Sequence, residues 1–380
     1  MSQEASTPAG IAPTLIVTAH PEFIDVAFDE LKHFDRSLHY VELLAPGILL
    51  CGFPQATLPH DVTALMRLAA EQRPIFVRHL APVQTVIHLN NTESDIGELA
   101  LAIATLPTFA LLERGQHFAV QTRLLQTNSE SANPGSNKHA YSSGRINQLL
   151  AEAIAEETGA FESIKKPQVV VSLLCSTEKA YLGISLTKDN LSDWPGGERH
   201  FAQTPEQISR SEFKLLEALE VFGVTLPSPG LALDLGAAPG GWTRLLLEAG
   251  MNVVAVDPAK LDGRLEGQPH LVHYRGYAEV YLEKAIKQRR KFDVITNDMR
   301  MDAREAARLL VEASTCLRAD GFIISVLKLP HATPEIDPLK NLNEALRLLH
   351  RHFGIVQARQ LFHNRQEVTV LTARPLSTRQ

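Results

Sequence analysis

The stretch that most constrains this chain is Leu231–Gly250, LALDLGAAPGGWTRLLLEAG. Leu231–Asp234 reads as a short buried strand that runs into a glycine turn, and Trp242–Ala249 as an apolar helix. Gly236, Gly240 and Gly241 leave the backbone bare between them, so unpaired N–H groups face a ligand that carries negative charge or lone pairs. The next strand, Asn252–Val256, ends in Asp257, whose carboxylate can accept both hydroxyls of a ribose. This unit points to a nucleoside-bearing cofactor. Its spacing, G-x-x-x-G-G with Pro239 inside, is not the dinucleotide fingerprint G-x-G-x-x-G. A plain tight turn in some other doubly wound protein is the alternative.

Length and composition bound the rest. A chain of 380 residues predicts two or three domains, and no apolar run approaches the roughly 20 residues of a membrane span. The opening MSQEASTPAG lacks the basic and apolar regions of a signal peptide. Cys51, Cys175 and Cys316 lie in apolar stretches without paired spacing, which predicts buried free thiols and no zinc or disulfide framework. A cytoplasmic protein without membrane or metal is expected. The net charge of −6 does not suggest a nucleic-acid binder. Residues 1–200 carry 14 Lys+Arg against 22 Asp+Glu, and residues 201–380 carry 23 against 21. Any electrostatic footprint for RNA must therefore be a local patch.

In chain order, residues 1–12 are rich in small and polar residues and predict a disordered N-terminus. Residues 13–90 alternate short segments: strand Leu15–Ala19, helix Ile24–His33, strands near Tyr40–Leu44 and Gly47–Cys51, helix His60–Ala70, and strands Ile75–Val77 and Thr85–Leu89. Interleaving of this kind suggests a small α+β, ferredoxin-like domain. Residues 91–190 form a second unit: helix Ile96–Leu106, strand His117–Leu125, a polar loop Thr127–Gly144, helix Arg145–Glu157 with Gly159 at its end, and a hairpin of Val169–Leu174 and Tyr181–Leu186. A linker, 191–206, contains Trp194-Pro-Gly-Gly. Residues 207–375 alternate strands and helices, which predicts an α/β domain with a mainly parallel sheet wound on both faces. Helices are expected at Ser211–Phe222, Tyr277–Lys291, Asp302–Leu317 and Pro338–Phe353, with a closing strand pair at Ile355–Leu361 and Glu367–Thr372.

Ligands of open α/β sheets bind outside the carboxyl ends of the strands. Asp298 follows the apolar run Val294–Thr296 and Asn297, and Lys328 follows Phe322–Leu327. A lysine there is costly to desolvate and must pair or lose its proton; a lysine snorkelling from a strand end is the alternative. Asp298 could equally be a helix N-cap. Lys214, on the helix Ser211–Phe222 beside Glu217, and Glu367, opening a closing strand, read in isolation as solvated surface and as an edge charge.

Taken together, Lys214, Asp298, Lys328 and Glu367 resemble the Lys-Asp-Lys-Glu tetrad of FtsJ-type ribose 2′-O-methyltransferases, and the glycine turn is similar to the S-adenosylmethionine loop of class I methyltransferases. The matching stretches are SRSEFKLLEA, DLGAAPGGWT, NDM, LKLP and ARQLFHNRQEVTV, over about residues 207–373. Among FtsJ-type enzymes the likeness is to those of bacterial large-subunit ribosomal RNA, which carry an N-terminal THUMP region. The resemblance implies a Rossmann-like domain with a seven-stranded sheet, preceded by ferredoxin-like and THUMP-like domains; residues 12–190 match only in element order. It implies S-adenosylmethionine as cofactor, lined by Ser211, Gly236, Ala238, Pro239, Gly240, Gly241, Trp242, Asp257 and Asp298, and RNA as partner, either large-subunit ribosomal RNA or a precursor particle. One departure is Arg275-Gly276-Tyr277 after the third strand, where relatives carry an acid near the adenine; Tyr277 could stack there instead.

The resemblance also implies roles. Lys328 takes the ribose hydroxyl proton, while Asp298 and Glu367 hold the two lysines. With an ordinary pKa near 10.4, about 0.04% of a lysine is neutral at pH 7. Desolvation beside a second cation, Lys214, is expected to lower Lys328 by roughly three units. A base-amine methyltransferase would carry an Asn/Asp-Pro-Pro-aromatic turn where this chain has Asn297-Asp298-Met299-Arg300, and a pyrimidine C5 enzyme would carry a cysteine. A nicotinamide dehydrogenase fits Asp257 but not the glycine spacing. A non-catalytic RNA-binding or ribosome-assembly factor with this fold is the remaining alternative, and an intact tetrad argues against it. Calorimetry tests the loop: Asp257→Ala should weaken binding of S-adenosylmethionine and of its demethylated product, and NAD binding without S-adenosylmethionine binding would overturn the reading.

Overall fold

The computed structural model describes residues 11–54, 62–125, 139–331, 333 and 336–376. The chain divides into two compact units, Met1–Glu198 and Arg199–Gln380. Of residues 1–12, expected to be disordered, Ile11 and Ala12 instead open a strand, paired with Pro54 and Phe53. Residues 1–10, the start of helix His60–Ala70 and most of the polar loop Thr127–Gly144 lie outside the described residues.

The first unit contains two sheets. One has four strands, β1 (Ile11–Thr18), β2 (His39–Ala45), β3 (Ile48–Pro54) and β4 (His79–Pro82), ordered β2-β3-β1-β4 with antiparallel neighbours. Helices α1 (Ile24–Phe34) and α2 (Val62–Gln72) accompany it. Residues 75–77, expected as a strand, are not one. The Glu30 carboxylate accepts the backbone N–H groups of Ile75 and Phe76, donors that a strand would spend on a ladder, and pairing begins only at His79.

The other sheet has five strands, β5 (Thr85–His88), β6 (His117–Leu124), β7 (Phe161–Glu162), β8 (Val169–Cys175) and β9 (Lys179–Leu186), ordered β5-β9-β8-β6-β7. Helices α3 (Asp95–Ala104) and α4 (Ser143–Thr158) pack on it around Leu99, Ile103, Phe118, Ile146, Leu150 and Val171. The Ser142 hydroxyl caps α4 at its start, and Gly159, at φ 73°, ends it in the left-handed conformation anticipated from the sequence. The expected hairpin is β8–β9. All three cysteines are buried and free.

The second unit is a seven-stranded sheet with helices. In chain order it comprises α5 (Glu212–Phe222), β10 (Leu231–Leu235), α6 (Gly241–Glu248), β11 (Asn252–Val256), β12 (Leu271–Tyr274) and α7 (Ala278–Lys287). It continues with β13 (Phe292–Asn297), α8 (Ala303–Ala313), β14 (Leu317–Lys328), α9 (Pro338–His352), β15 (Phe353–Arg359) and β16 (Glu367–Pro375). The sheet order is β12-β11-β10-β13-β14-β16-β15. Strands β10 to β14 pair in parallel, and the expected closing pair is β15 and β16, with β16 antiparallel between β14 and β15. The order reverses beside β10, so the crevice outside β10 and β13 is the switch point where such sheets take ligands.

Two helices are shorter than the periodicity suggests. Helix α8 stops at Ala313 because the hydroxyls of Ser314 and Thr315 bond back to the carbonyls of Val311 and Glu312, and the chain turns at Ser314–Cys316 into β14. Helix α7 stops at Lys287, with Arg289 just beyond at φ 53°. Among the described residues no helix is long and apolar enough to cross a membrane, and no group of three or more His, Cys, Asp or Glu could hold a metal ion.

A buried acid marks the strand that enters the glycine turn. Asp234, in β10, is 2% exposed and accepts hydrogen bonds from the hydroxyls of Thr243 (2.6 Å) and Thr296 (2.8 Å), which tie α6 and β13 to the central strand. Burial pushes its carboxyl up to about 6, against the pull of those two hydroxyls and with a smaller push from Asp298 and Asp257. A raised acid binds its proton more tightly in the folded state, so this group erodes stability as pH rises from about 3.9 to about 6. Asp234→Asn should therefore gain thermal midpoint relative to the parent as pH rises through that window. Parallel pH profiles of the two proteins would refute the assignment.

Candidate active site

Four charged side chains meet at the carboxyl end of the second unit's sheet. The register of β14 on β16 places Lys328 directly opposite Glu367, one the last residue of its strand and the other the first. Asp298 follows β13, the parallel neighbour of β14. Lys214 projects from the first turn of α5. Lys328 Nζ donates to Asp298 Oδ1 at 2.5 Å and to Glu367 Oε1 at 2.8 Å. Lys214 Nζ lies 2.6 Å from Glu367 Oε2 and 3.5 Å from Asp298 Oδ2. Cations and anions thus alternate around a ring of zero formal charge, each side chain only 15–21% exposed.

This geometry removes two alternative readings and reverses one expectation. Lys214 is not solvated surface; it is an ion-pair partner of Glu367. Asp298 is not the cap of the next helix: the Asp302 carboxylate accepts the Arg304 N–H and starts α8. The direction expected for Lys328 is also reversed. Burial does pull its pKa down, but Asp298 and Glu367, by charge and by hydrogen bonds, outweigh it and hold the ammonium above the ordinary lysine value. Burial likewise pushes Glu367 up, yet Lys214 and Lys328 prevail and hold that carboxyl below its usual range. Two carboxylates at hydrogen-bond distance decide the sign, not the second cation.

The glycine turn lies beside this ring. Gly240 sits at φ 113°, and a Cβ there would come within 2.3 Å of Leu265 Cδ1, so only glycine fits. Gly236 is likewise left-handed, at φ 70°, before Ala237 and Ala238. The Asp257 carboxylate accepts the N–H of Ala238 at 3.1 Å and of Ala259 at 2.7 Å, one on each oxygen, which leaves lone pairs on both for hydroxyl donors. Gly241 adjoins Ser209, whose hydroxyl meets that of Ser211 at 2.7 Å. Trp242 is buried, and its indole N–H donates to the Ser211 carbonyl at 2.7 Å, so its ring packs inside the fold and fixes α5 against α6. Tyr277 is 68% exposed ahead of α7.

Two carboxylates escaped the sequence reading. Glu212, 1% exposed, accepts the N–H of Ile208 and pairs with Arg244 of α6, which pins the approach to α5. Glu217, 3% exposed, accepts the N–H groups of Phe362 (2.8 Å) and His363 (3.0 Å) and meets His363 Nδ1 at 2.7 Å. Because Glu217 lies one turn beyond Lys214, it clamps that helix to the loop that precedes Glu367. In the same loop Asn364 Oδ1 of the side chain accepts the Leu361 N–H and the Thr369 hydroxyl. The available signal was two acids on the apolar, inward-facing side of an otherwise amphipathic helix.

Residues 207–354 match the family described as FtsJ-like methyltransferase, so the second unit carries an FtsJ-like methyltransferase domain. A protein named ribosomal RNA large subunit methyltransferase M from Laribacter hongkongensis is 34% identical over 195 residues, which are 49% of this chain and 53% of that protein. The protein of the same name from Methylococcus capsulatus is 34% identical over 218 residues, 53% of this chain and 57% of that one. The matches thus span about half the length of these curated relatives. Among solved structures, TrmN from Thermus thermophilus aligns over 95% of this chain and 100% of its own, at 18% identity and a TM-score of 0.38.

Removing the Glu217 clamp should be visible directly. Glu217→Ala leaves three donors without their acceptor, each costing about 1–3 kcal/mol. The thermal midpoint should fall by several degrees, and the amides of Phe362 and His363 should lose hydrogen-exchange protection. Unchanged exchange at those two amides would show that the clamp does not hold the loop.

Proposed function

We propose, from the premise that residues 207–354 form an FtsJ-like methyltransferase domain, that the protein transfers a methyl group from S-adenosylmethionine to a ribose 2′-hydroxyl of RNA, with large-subunit ribosomal RNA as the substrate. The observation that carries this reading is the alternating Lys-Asp-Lys-Glu ring beside a glycine turn and a ribose-competent acid. The names of the relatives support the choice of RNA. The first unit, with its two α+β sheets, is read as the RNA-guiding, THUMP-like part.

The donor set suits the cofactor. Asp257 is free to accept ribose hydroxyls, and the turn Gly236–Gly241 allows close backbone approach; Ser211 and Asp298 complete the lining. S-adenosylmethionine supplies an already activated methyl, so the protein's own task is to orient a hydroxyl and remove its proton. Lys328 is the group for that task, held on one side by Asp298 and on the other by Glu367, with Lys214 fixing Glu367 in turn. In the resting ring Lys328 is an ammonium. It acts as a base only through its neutral minority, and that minority grows tenfold per pH unit below its pKa. Base catalysis of this kind contributes roughly 10²–10⁴ in rate.

The experiment is a pH profile with a matched variant. Since Lys328 is held above the ordinary lysine value, kcat/KM for RNA should climb log-linearly from pH 7 through pH 9 without the plateau that a lowered lysine would give. Lys328→Arg keeps the charge but cannot accept a proton at these pH values, so ribose methylation should drop by orders of magnitude and lose the rising limb. Activity within a few-fold of the parent, measured as methyl on ribose in a single turnover, would remove Lys328 from the chemistry.

A further inference from the structure

The ring of four has no charge to spare for a polyanion. Both lysines are bound to carboxylates, the formal charges cancel, and the whole chain carries −6. An RNA strand must nonetheless be held with one ribose against Lys328, and phosphate contacts supply most of such binding. The basic run Lys284–Lys291 looks suited from the sequence, but four of its five cations have partners, and among the described residues only its Arg289 is unengaged. Lys284 lies over the Tyr274 ring, Lys287 pairs with Glu283, Arg290 donates to the Tyr281 hydroxyl and Lys291 to the Thr315 carbonyl.

A different set of cations is unengaged. Arg300 is two residues past Asp298, Arg365 two residues before Glu367, and Arg210 four residues before Lys214. All three are exposed, and among the described residues none of their side chains makes a hydrogen bond, ion pair or ring contact. Elsewhere in this unit Arg244, Arg264 and Arg304 are tied to acids. Chain reach keeps the Cα atoms of Arg300 and Arg365 within about 7 Å of their ring residues, and that of Arg210 within about 14 Å. The fourth segment contributes the exposed imidazole of His331, three residues past Lys328.

On the premise of the proposed function, we infer that Arg210, Arg300 and Arg365 form a phosphate clamp around the ring, gripping the single-stranded RNA backbone on either side of the ribose presented to Lys328. Three of the four segments that bring a ring residue to the centre also carry an exposed guanidinium, so catalysis and substrate grip share one set of chain segments. Guanidinium suits the purpose because its fork matches phosphate oxygens and its charge persists at any working pH. A neutral ring inside a basic rim also explains how an acidic chain concentrates attraction where the chemistry occurs.

The test measures affinity of the full-length protein for a short fluorescein-labelled single-stranded RNA across a salt series. Each of Arg210→Ala, Arg300→Ala and Arg365→Ala should reduce the slope of log affinity against log salt by about 0.7, and the triple variant by about 2. S-adenosylmethionine affinity should not change, and KM for RNA should rise far more than kcat falls. Lys287→Ala, on the occupied basic run, should leave the slope alone. A triple variant with the parent's slope, or a loss of slope in Lys287→Ala instead, overturns the clamp. The two readings fail separately. If the parent methylates ribose but the triple variant keeps its slope, only the clamp is wrong. If the slope falls as stated but the parent moves no methyl to ribose, the phosphate surface stands and the proposed function does not.

Discussion

The second unit depends on the pairing of Lys328 with Glu367 across β14 and β16. These strands are antiparallel, so the end of one lies beside the beginning of the other, and a lysine closing one strand faces a glutamate opening the next. A slip of one residue would send both side chains to the opposite face and dissolve the ring. Every other element of the site is arranged around this pair. Asp298 arrives from the parallel neighbour β13, and Lys214 from a helix that must be held against the same strand end.

That holding falls to buried carboxylates outside the ring. Glu217 accepts two backbone amides and an imidazole nitrogen from the loop before β16, Glu212 pairs with Arg244 of α6, and Asp234 ties α6 and β13 to β10. Each takes donors that would otherwise be unsatisfied at a loop or helix end, and each would be costly to bury without them. The indole of Trp242 performs the same office for the start of α5 by donating to the Ser211 carbonyl. Charge therefore plays two parts in this unit. Fully buried acids hold helices, strands and loops together, while the ring of four is partly exposed.

Electrostatic balance decides the character of the ring itself. A lone lysine at a buried strand end would lose its proton readily, and a lysine beside another cation more readily still. Here each lysine touches two carboxylates, and the attraction exceeds the burial penalty at Lys328. The site is preorganised with its proton in place, and free positive charge stands on the adjoining exposed segments.

Much of this was legible in the residues. The alternation of strands and helices specified a mainly parallel sheet, the glycine spacing marked the turn between β10 and α6, and Asp298 and Lys328 stood out after apolar runs; Lys214 and Glu367 joined them only through the family resemblance. Helix ends were less legible where hydroxyls bond back to the preceding turn, as at Ser314 and Thr315, because such bonds compete with the helix without altering its periodicity. The strand expected at 75–77 failed for a related reason: the Glu30 carboxylate, 45 residues away in the chain, claims its amides. What only the tertiary structure decided was the sign of the Lys328 shift, the burial of Glu212 and Glu217, and which arginines are left without partners. Those properties depend on distances between residues far apart in sequence, and a Coulomb interaction is fixed by distance and burial, neither of which a linear pattern contains.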